Sequence, residues 1–381
     1  MKEYIKKGSW NDRAFHFINK LIAEHGKDNP AYNPDKKPFA VFDWDNTSII
    51  GDVEEAAFFY LVTNLAFKIN PDELYDIIRK NVDKGDFKDP YKNLEGEFIN
   101  IDKIYIDKIS TDIYKAYKKL YATSDRLGGD VPFEIIKESD PYKEFVAKMI
   151  FRYKAADFDE NAKDPYCWIT FLFTHYKENE IEDFCDKAFA FVKNEEARRE
   201  TFISPDIKSE AGRVSISYFI GIGDVDEMAD LFHTLEEEGI DVYVVSASFI
   251  DIVRAFATKN SYKFDRDKVL GLRLAKNSEG KIIPELDHDF PLTQKSGKSE
   301  TIRRLILNEN NYGPILVGGD SDGDYAMLTD FCETDLGIII DRKRKGNIND
   351  LKSEALAGSN RYILQARDQF SKCFIEEERS I

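Results

Sequence analysis

Two carboxylates two residues apart, in Asp43-Trp44-Asp45-Asn46-Thr47, stand directly after the short apolar run Phe39-Ala-Val-Phe42. On the turn leaving a strand, such a pair can converge on one point. One carboxylate can attack phosphorus and form an acyl phosphate, which splits a hard displacement into two easier ones. The other can protonate the leaving oxygen and later deprotonate the attacking water. Solvated Asp residues in a plain turn have the same spacing, so the pair alone leaves both readings open. A second acidic run, Gly318-Gly-Asp-Ser-Asp-Gly-Asp324, follows Ile315-Leu-Val317. Magnesium takes hard oxygen ligands, usually one or two carboxylates with waters and substrate phosphate. Asp320, with Asp322 or Asp324 beside it, supplies such ligands. A calcium loop of the D-x-[DN]-x-[DN]-G type needs a Gly where Tyr325 stands and a Glu where Phe331 stands, so the run fits that motif poorly.

Ser246 closes the run Val242-Tyr-Val-Val245 and precedes Ala247, Ser248 and a helical pattern from Ile250 to Thr258. Its hydroxyl, with backbone N–H groups such as that of Ala247 at a helix start, can hold an anion. A plain serine cap has the same appearance. Gly297-Lys298-Ser299 opens a further helical pattern, Glu300 to Leu307, and Lys298 can balance aspartate and phosphate charge together. Phosphoryl transfer needs little beyond positioning and charge stabilisation. A nucleophile, an acid/base, a metal site, a hydroxyl for phosphate and a cation are all present.

The elements that must position these residues follow from the apolar pattern. Residues 39–42, 242–245 and 336–340 are short apolar or β-branched runs that end at Asp43, Ser246 and Asp341, and 315–317 runs into Gly318-Gly319-Asp320. They fit buried parallel strands. Between them lie helical periods, such as Val225 to Glu238 closed by Gly239. Strands alternating with helices predict an α/β fold with a doubly wound parallel sheet of Rossmann type. Ligands of such sheets sit at the carboxyl ends of the strands, where Asp43, Asp45, Ser246, Asp320 and Asp324 fall. Residues 10–25 predict an amphipathic helix. From Val53 to Gly221 the chain is rich in Lys, Asp, Phe and Tyr, with helical period and no clear strand ladder. The expected division is a discontinuous core, 1–52 plus 222–381, and an inserted, mainly helical cap, 53–221. The tail from Ser353 to Ile381 predicts one or two helices ending in an acidic segment.

Taken in order, these motifs resemble those of the haloacid dehalogenase superfamily phosphatases. Asp43–Thr47 resembles the first motif, Val245-Ser-Ala-Ser248 the second, Gly297-Lys298 the third and Gly318–Asp324 the fourth. The resemblance implies that Asp43 is the nucleophile and Asp45 the general acid/base. It implies Mg²⁺ held by the Asp43 carboxylate, the Asp45 backbone carbonyl and Asp320, with Asp324 supporting that shell. Thr47, Ser246 and Lys298 would bind the transferring phosphate. Dehalogenases lack a carboxylate at the place of Asp45, and ion-pumping members carry Thr there. Residues 225–275 resemble the phosphoserine-phosphatase-like branch, which inserts a helical cap after the first strand. Within that branch, Asp-x-Asp-Asn-Thr, Ser-Ala-Ser, Pro291-Leu-Thr-Gln-Lys-Ser-Gly297 and the long cap resemble bacterial phosphorylcholine phosphatases. Phosphoserine phosphatases usually carry Asn where this chain has Gly323, and their caps are smaller. Asp52 lies where that family places an acid for the substrate amine.

The substrate expected is therefore a small phosphomonoester, with phosphocholine as the sharpest candidate. Phosphoserine or another small metabolite is the alternative, and a catalytically silent binding protein on the same fold the alternative of another class. Aromatic faces bind quaternary ammonium. Phe58, Phe59 and Tyr60 near the first motif, and the run Tyr166-Cys-Trp168-Ile-Thr-Phe171-Leu-Phe173-Thr-His175-Tyr176 in the cap, are aromatic candidates, although a dense aromatic run also suits a cap's own core. A formal charge of −17, from 54 basic and 71 acidic residues, disfavours nucleic acid and anionic membrane surfaces and suits a substrate with a cationic headgroup. No apolar run approaches the ~20 residues that span a bilayer. The N-terminus lacks an apolar signal core, so a cytoplasmic location is expected, or a periplasmic or secreted one if a leader has been removed. Cys167, Cys185, Cys332 and Cys373 form no C-x-x-C pair, and His16, His25, His175, His233 and His288 show no metal spacing.

Overall fold

Phe39–Phe42 alternates its side chains between two separate cores. Ala40 and Phe42 join one buried cluster, and Phe39 and Val41 the other. A strand buried on both faces is the signature of a parallel sheet covered by helices, and the computed structural model shows one. It describes residues 2–80, 91–96, 108–157, 167–193, 196–307 and 312–380. Seven strands form the sheet: β1 (Phe39–Phe42), β2 (Asp241–Phe249), β3 (Val269–Leu272), β4 (Leu316–Gly319), β5 (Leu336–Asp341), β6 (Tyr362–Asp368) and β7 (Cys373–Ile375). Their spatial order is β7-β6-β5-β4-β1-β2-β3. All pairs are parallel except β6 with β7. The chain builds outward from β1 through β2 to β3, then returns to β4 on the other side. The order thus reverses at β1, and the crevice of a doubly wound sheet opens at such a reversal.

Helices cover both faces. Asp12–His25, Asp226–Glu237 and Ile250–Ala257 lie on one side, burying Ile18, Phe232 and Phe256 in the cluster that holds Phe42. Ile302, Ile306, Met327 and Leu351 pack with Phe39 and Val41 on the other. Burying each such side chain contributes about 1.5–3 kcal/mol. Register fixes what comes next: Phe42 stands opposite Gly318 and Val244, so the residues following these three positions emerge together.

The segment between β1 and β2 is mostly helical, with Val53–Thr63, Lys108–Thr123, Asp140–Asp157 and Glu178–Lys193 as its longer helices. It also contains an antiparallel pair, Arg198–Ile203 with Ser215–Ile220, in full register. The apolar pattern concealed this pair, because Arg198-Arg-Glu-Thr201 opens it with four polar residues and no residue of Arg198–Ile203 is buried. A buried ion cluster ties the segment together. Lys148 Nζ lies 2.7 Å from Asp112 and 2.5 Å from Glu144, and the Asp112 carboxylate accepts the N–H groups of Glu210 and Ala211 at 2.8 Å. Glu178–Lys193 also packs on the sheet side, with Phe189 and Phe256 rings 5.1 Å apart.

The tail departs from expectation. Among the described residues there, only Ile348–Leu356 is helical. Tyr362–Asp368 adds to the sheet beside β5, and Cys373–Ile375 returns against it. The apolar run Tyr362-Ile-Leu364 is too short to register as a strand, and pairing with β5 decides its conformation. The strand preceding Ser246 likewise continues to Phe249 before its helix begins. No helix among the described residues is long and apolar enough to cross a membrane.

Candidate active site

Asp43 is the first residue after β1, and its N–H donates to Gly318 O at 2.9 Å. Its carboxylate is buried and doubly engaged. Oδ1 accepts from Lys298 Nζ at 2.5 Å, and Oδ2 accepts from the Thr47 hydroxyl at 3.2 Å. Lys298, 1% exposed, also donates to Asp324 Oδ1 at 2.7 Å. Thr47 stands 3.3 Å from Asp320 Oδ1, so one hydroxyl links the loops after β1 and β4. Asp324 holds its own loop closed, because its Oδ2 accepts the N–H groups of Asp320 (2.9 Å) and Ser321 (3.1 Å). Gly319 permits this approach, since a Cβ there would sit 2.5 Å from Asp324 Cβ. Oxygens of Asp43, Asp320 and Asp324 lie within 4.8 Å of one another.

Asp45 faces different company. Its Oδ1 accepts the Val53 N–H at 2.7 Å, and its Oδ2 accepts the hydroxyls of Ser248 (2.7 Å) and Ser246 (3.2 Å). The loop after β1 is thereby tied to the end of β2. Ala247 lies between the two serines, half-buried. Thr47, Lys298, Asp320 and Asp324 therefore gather around Asp43, and Ser246 stands on Asp45.

The electrostatics follow from burial. Desolvation, then the charge of Asp324, push Asp43 up to about 8, against the pull of Lys298. Burial and the charge of Asp43 push Asp45 up to about 7. Burial would raise Asp320 too, but Arg342 and the more distant Arg367 hold it below the usual carboxylate range. Lys298 is held above its ordinary value, because Asp324 and Asp43 outweigh its desolvation. When ionised, the four aspartates carry four negative charges against two positive ones from Lys298 and Arg342. A hard divalent cation offsets such a surplus, and the all-oxygen donor set fits magnesium chemistry.

Two predicted substrate residues lie elsewhere in the arrangement. Asp52 caps the helix Val53–Thr63, its Oδ1 accepting the N–H groups of Glu54 and Glu55 at 2.9 Å. Burial and the charge of Asp45 raise it well above the ordinary range. Phe58 points into an aromatic core, with its ring 4.9 Å from Tyr153 and 5.9 Å from Trp168. Only 1% exposed, it is occupied by packing. Phe171 and Phe173 of the aromatic run are buried as well, and Tyr166 lies outside the described residues.

Sequence spacing passed over several neighbours. Ser248 is closer to Asp45 than Ser246 is. Arg342, one residue past β5, donates to Asp320 Oδ2 at 2.8 Å. Glu54 accepts from Thr170 at 2.6 Å, and burial raises it to about 8. Glu55 accepts from Lys154 (2.6 Å) and Tyr153 (2.9 Å). Arg342 was the one within reach of the strand-end rule, because β5 ends at Asp341 beside it.

Residues 172–329 match the family model described as haloacid dehalogenase-like hydrolase. That span includes Ser246, Lys298, Asp320 and Asp324 and begins after Asp43. The chain is 26% identical to the phosphorylcholine phosphatase of Pseudomonas aeruginosa, over 58% of this chain and 67% of that protein. A crystal structure of a conserved, functionally unknown protein from Anaerococcus prevotii is 55% identical and superposes with a TM-score of 0.95, covering 100% of this chain and 99% of that one. With the motif order and the reversal of the sheet at β1, the match over residues 172–329 shows a haloacid dehalogenase-like hydrolase domain in this chain.

Proposed function

We propose that this protein is a magnesium-dependent phosphomonoesterase that works through an aspartyl-phosphate on Asp43. The observation that carries the reading is the set of contacts joining Asp43 to Lys298, Thr47 and, through them, Asp324 and Asp320. A nucleophile, a cation and a hard-oxygen site share one buried point.

The Asp43 carboxylate attacks phosphorus, and the bond from phosphorus to the ester oxygen breaks. Asp45 gives its proton to that leaving oxygen. In the second half, Asp45 takes a proton from water. The water oxygen attacks phosphorus, and the Asp43–phosphorus bond breaks to release inorganic phosphate. Lys298, Thr47 and Ser246 hold the phosphate oxygens. Asp43, Asp320 and the Asp45 carbonyl would hold Mg²⁺, with Asp324 behind them, and the ion would neutralise charge on the transferring group. Residues 53–221 would act as the cap that excludes water.

The substrate we propose is a small phosphorylated metabolite with a cationic headgroup, phosphocholine first. Its support is the similarity to phosphorylcholine phosphatase, together with Glu55 in the first turn of the helix that leaves the site. Glu55 has the rings of Tyr153 and Tyr218 nearby, the latter donating to Glu55 O at 3.0 Å. Turnover of phosphocholine, phosphoethanolamine, phosphoserine and a sugar phosphate with Mg²⁺ tests this. The expected result is the highest kcat/KM for phosphocholine. Equal values across the four would remove the headgroup assignment, and absence of any turnover would favour a silent binding protein.

A further inference from the structure

Asn46 lies between the two key aspartates' loop and Thr47, with φ at 62°. That is the left-handed region, which Gly enters freely and Asn enters at less cost than most residues with a Cβ. The angle matters because it sets how Thr47 is aimed relative to Asp43 and Asp45. Thr47 is the hydroxyl shared by Asp43 and Asp320.

Arg367, far away in sequence on β6 and 5% exposed, grips this one residue twice. Nη1 donates to Asn46 O at 3.1 Å, and Nη2 donates to Asn46 Oδ1 at 3.0 Å. A planar guanidinium can engage a main-chain and a side-chain oxygen together, whereas an ammonium is a single point. The arginine is itself anchored, its N–H donating to Ser380 Oγ at 2.9 Å. Asn46 N–H donates to Gly51 O at 2.8 Å, so the turn is held from both ends.

We propose that Arg367 is a positioning residue that clamps Asn46 in its left-handed turn and so aims Thr47 and the Asp43–Asp45 pair. Its effect on turnover rests on the phosphatase reading of that pair. The test compares wild type, Arg367→Ala and Arg367→Lys, the last two also combined with Asn46→Gly. Loss of the charge-assisted fork is expected to lower kcat by on the order of tenfold to a hundredfold, with KM nearly unchanged. Asn46→Gly is expected to recover a large part of that loss, because Gly adopts the turn without the clamp. Should Arg367→Ala not fold, Arg367→Lys decides. Wild-type kcat in the Arg367 variants, or no recovery with Asn46→Gly, would overturn the proposal. Amide hydrogen exchange reads the clamp without activity. The N–H groups of Thr47 and Ser48, which donate to Trp44 O at 3.3 and 2.9 Å, should exchange faster in Arg367→Lys and slow again with Asn46→Gly. Unchanged protection would contradict the clamp, whereas a wild type without phosphatase turnover would sink only the functional reading.

Discussion

Asp43 and Asp45 share a loop, and their contacts differ in the way the proposed division of labour needs. Asp43 meets Lys298, which stabilises a carboxylate. Asp45 meets two hydroxyls and a backbone N–H, which favour its ionised form, while burial and the charge of Asp43 push it up to about 7, a value suited to giving and taking a proton in turn. If Asp45 is the acid, its value depends on the leaving group. In single turnover, Asp45→Asn should slow the first phosphoryl transfer from an alkyl phosphate by roughly 10²–10⁴-fold. Transfer from nitrophenyl phosphate, whose leaving oxygen needs no proton, should slow far less. Equal losses would argue for a purely structural Asp45. Phe58 is the counter-case. Its place between Tyr153 and Trp168 predicts that Phe58→Ala destabilises by about 3–5 kcal/mol, measured by denaturant unfolding. A raised KM with unchanged stability would restore it as a substrate contact. Spacing picked out the aspartates and Lys298 because each stands at a strand end or helix start. It could not separate a buried aromatic from a pocket aromatic, since both have the same composition and period.

At the scale of elements, the loop after β4 shows why the sequence runs Gly318-Gly319. Gly319 leaves room for Asp324 to fold back on Asp320 and Ser321. Gly319→Ala should push Asp324 away and loosen Lys298 with it. Overpacking of this kind costs about 1–3 kcal/mol, and kcat should fall further than the stability loss explains. Thermal unfolding and kcat measured together check this, and normal kcat in a destabilised variant would contradict it. The core strands were legible because β1, β4 and β5 are continuous apolar runs buried on both faces. The edge was not. Strand β6 mixes Tyr-Ile-Leu with Gln365 and Arg367, and those polar residues are buried by partners from remote parts of the chain. Gln365 bonds Asn11, and Arg367 bonds Asn46. Nothing local in residues 353–381 announces such partners, so helical period there misled.

Over the whole molecule, a net charge of −17 repels a phosphate dianion at long range. Beside the site, Arg342-Lys-Arg-Lys345 runs against that field. Lys343, Arg344 and Lys345 are exposed, and Asp322 of the β4 loop anchors the segment by accepting the Ile348 N–H at 2.8 Å. This loop should draw the substrate's phosphate toward β4 and β5. Reversing Lys343 and Lys345 to Glu should lower kcat/KM several-fold at low ionic strength, and the difference from wild type should shrink as salt screens it. Equal kcat/KM at every salt concentration would remove the loop from substrate capture. Net charge was visible in the composition, but its local reversal beside the site emerged only when β5 was placed next to β4.

The central claim is the covalent role of Asp43, and trapping it is the most direct test. Enzyme turning over substrate with Mg²⁺ is quenched into borohydride, which reduces an aspartyl-phosphate to homoserine, and the peptide containing residue 43 is read by mass spectrometry. Homoserine at position 43, dependent on substrate and absent from Asp43→Asn, is the predicted result. Active enzyme that yields none, together with Asp43→Asn turning over at the wild-type rate, would contradict the account.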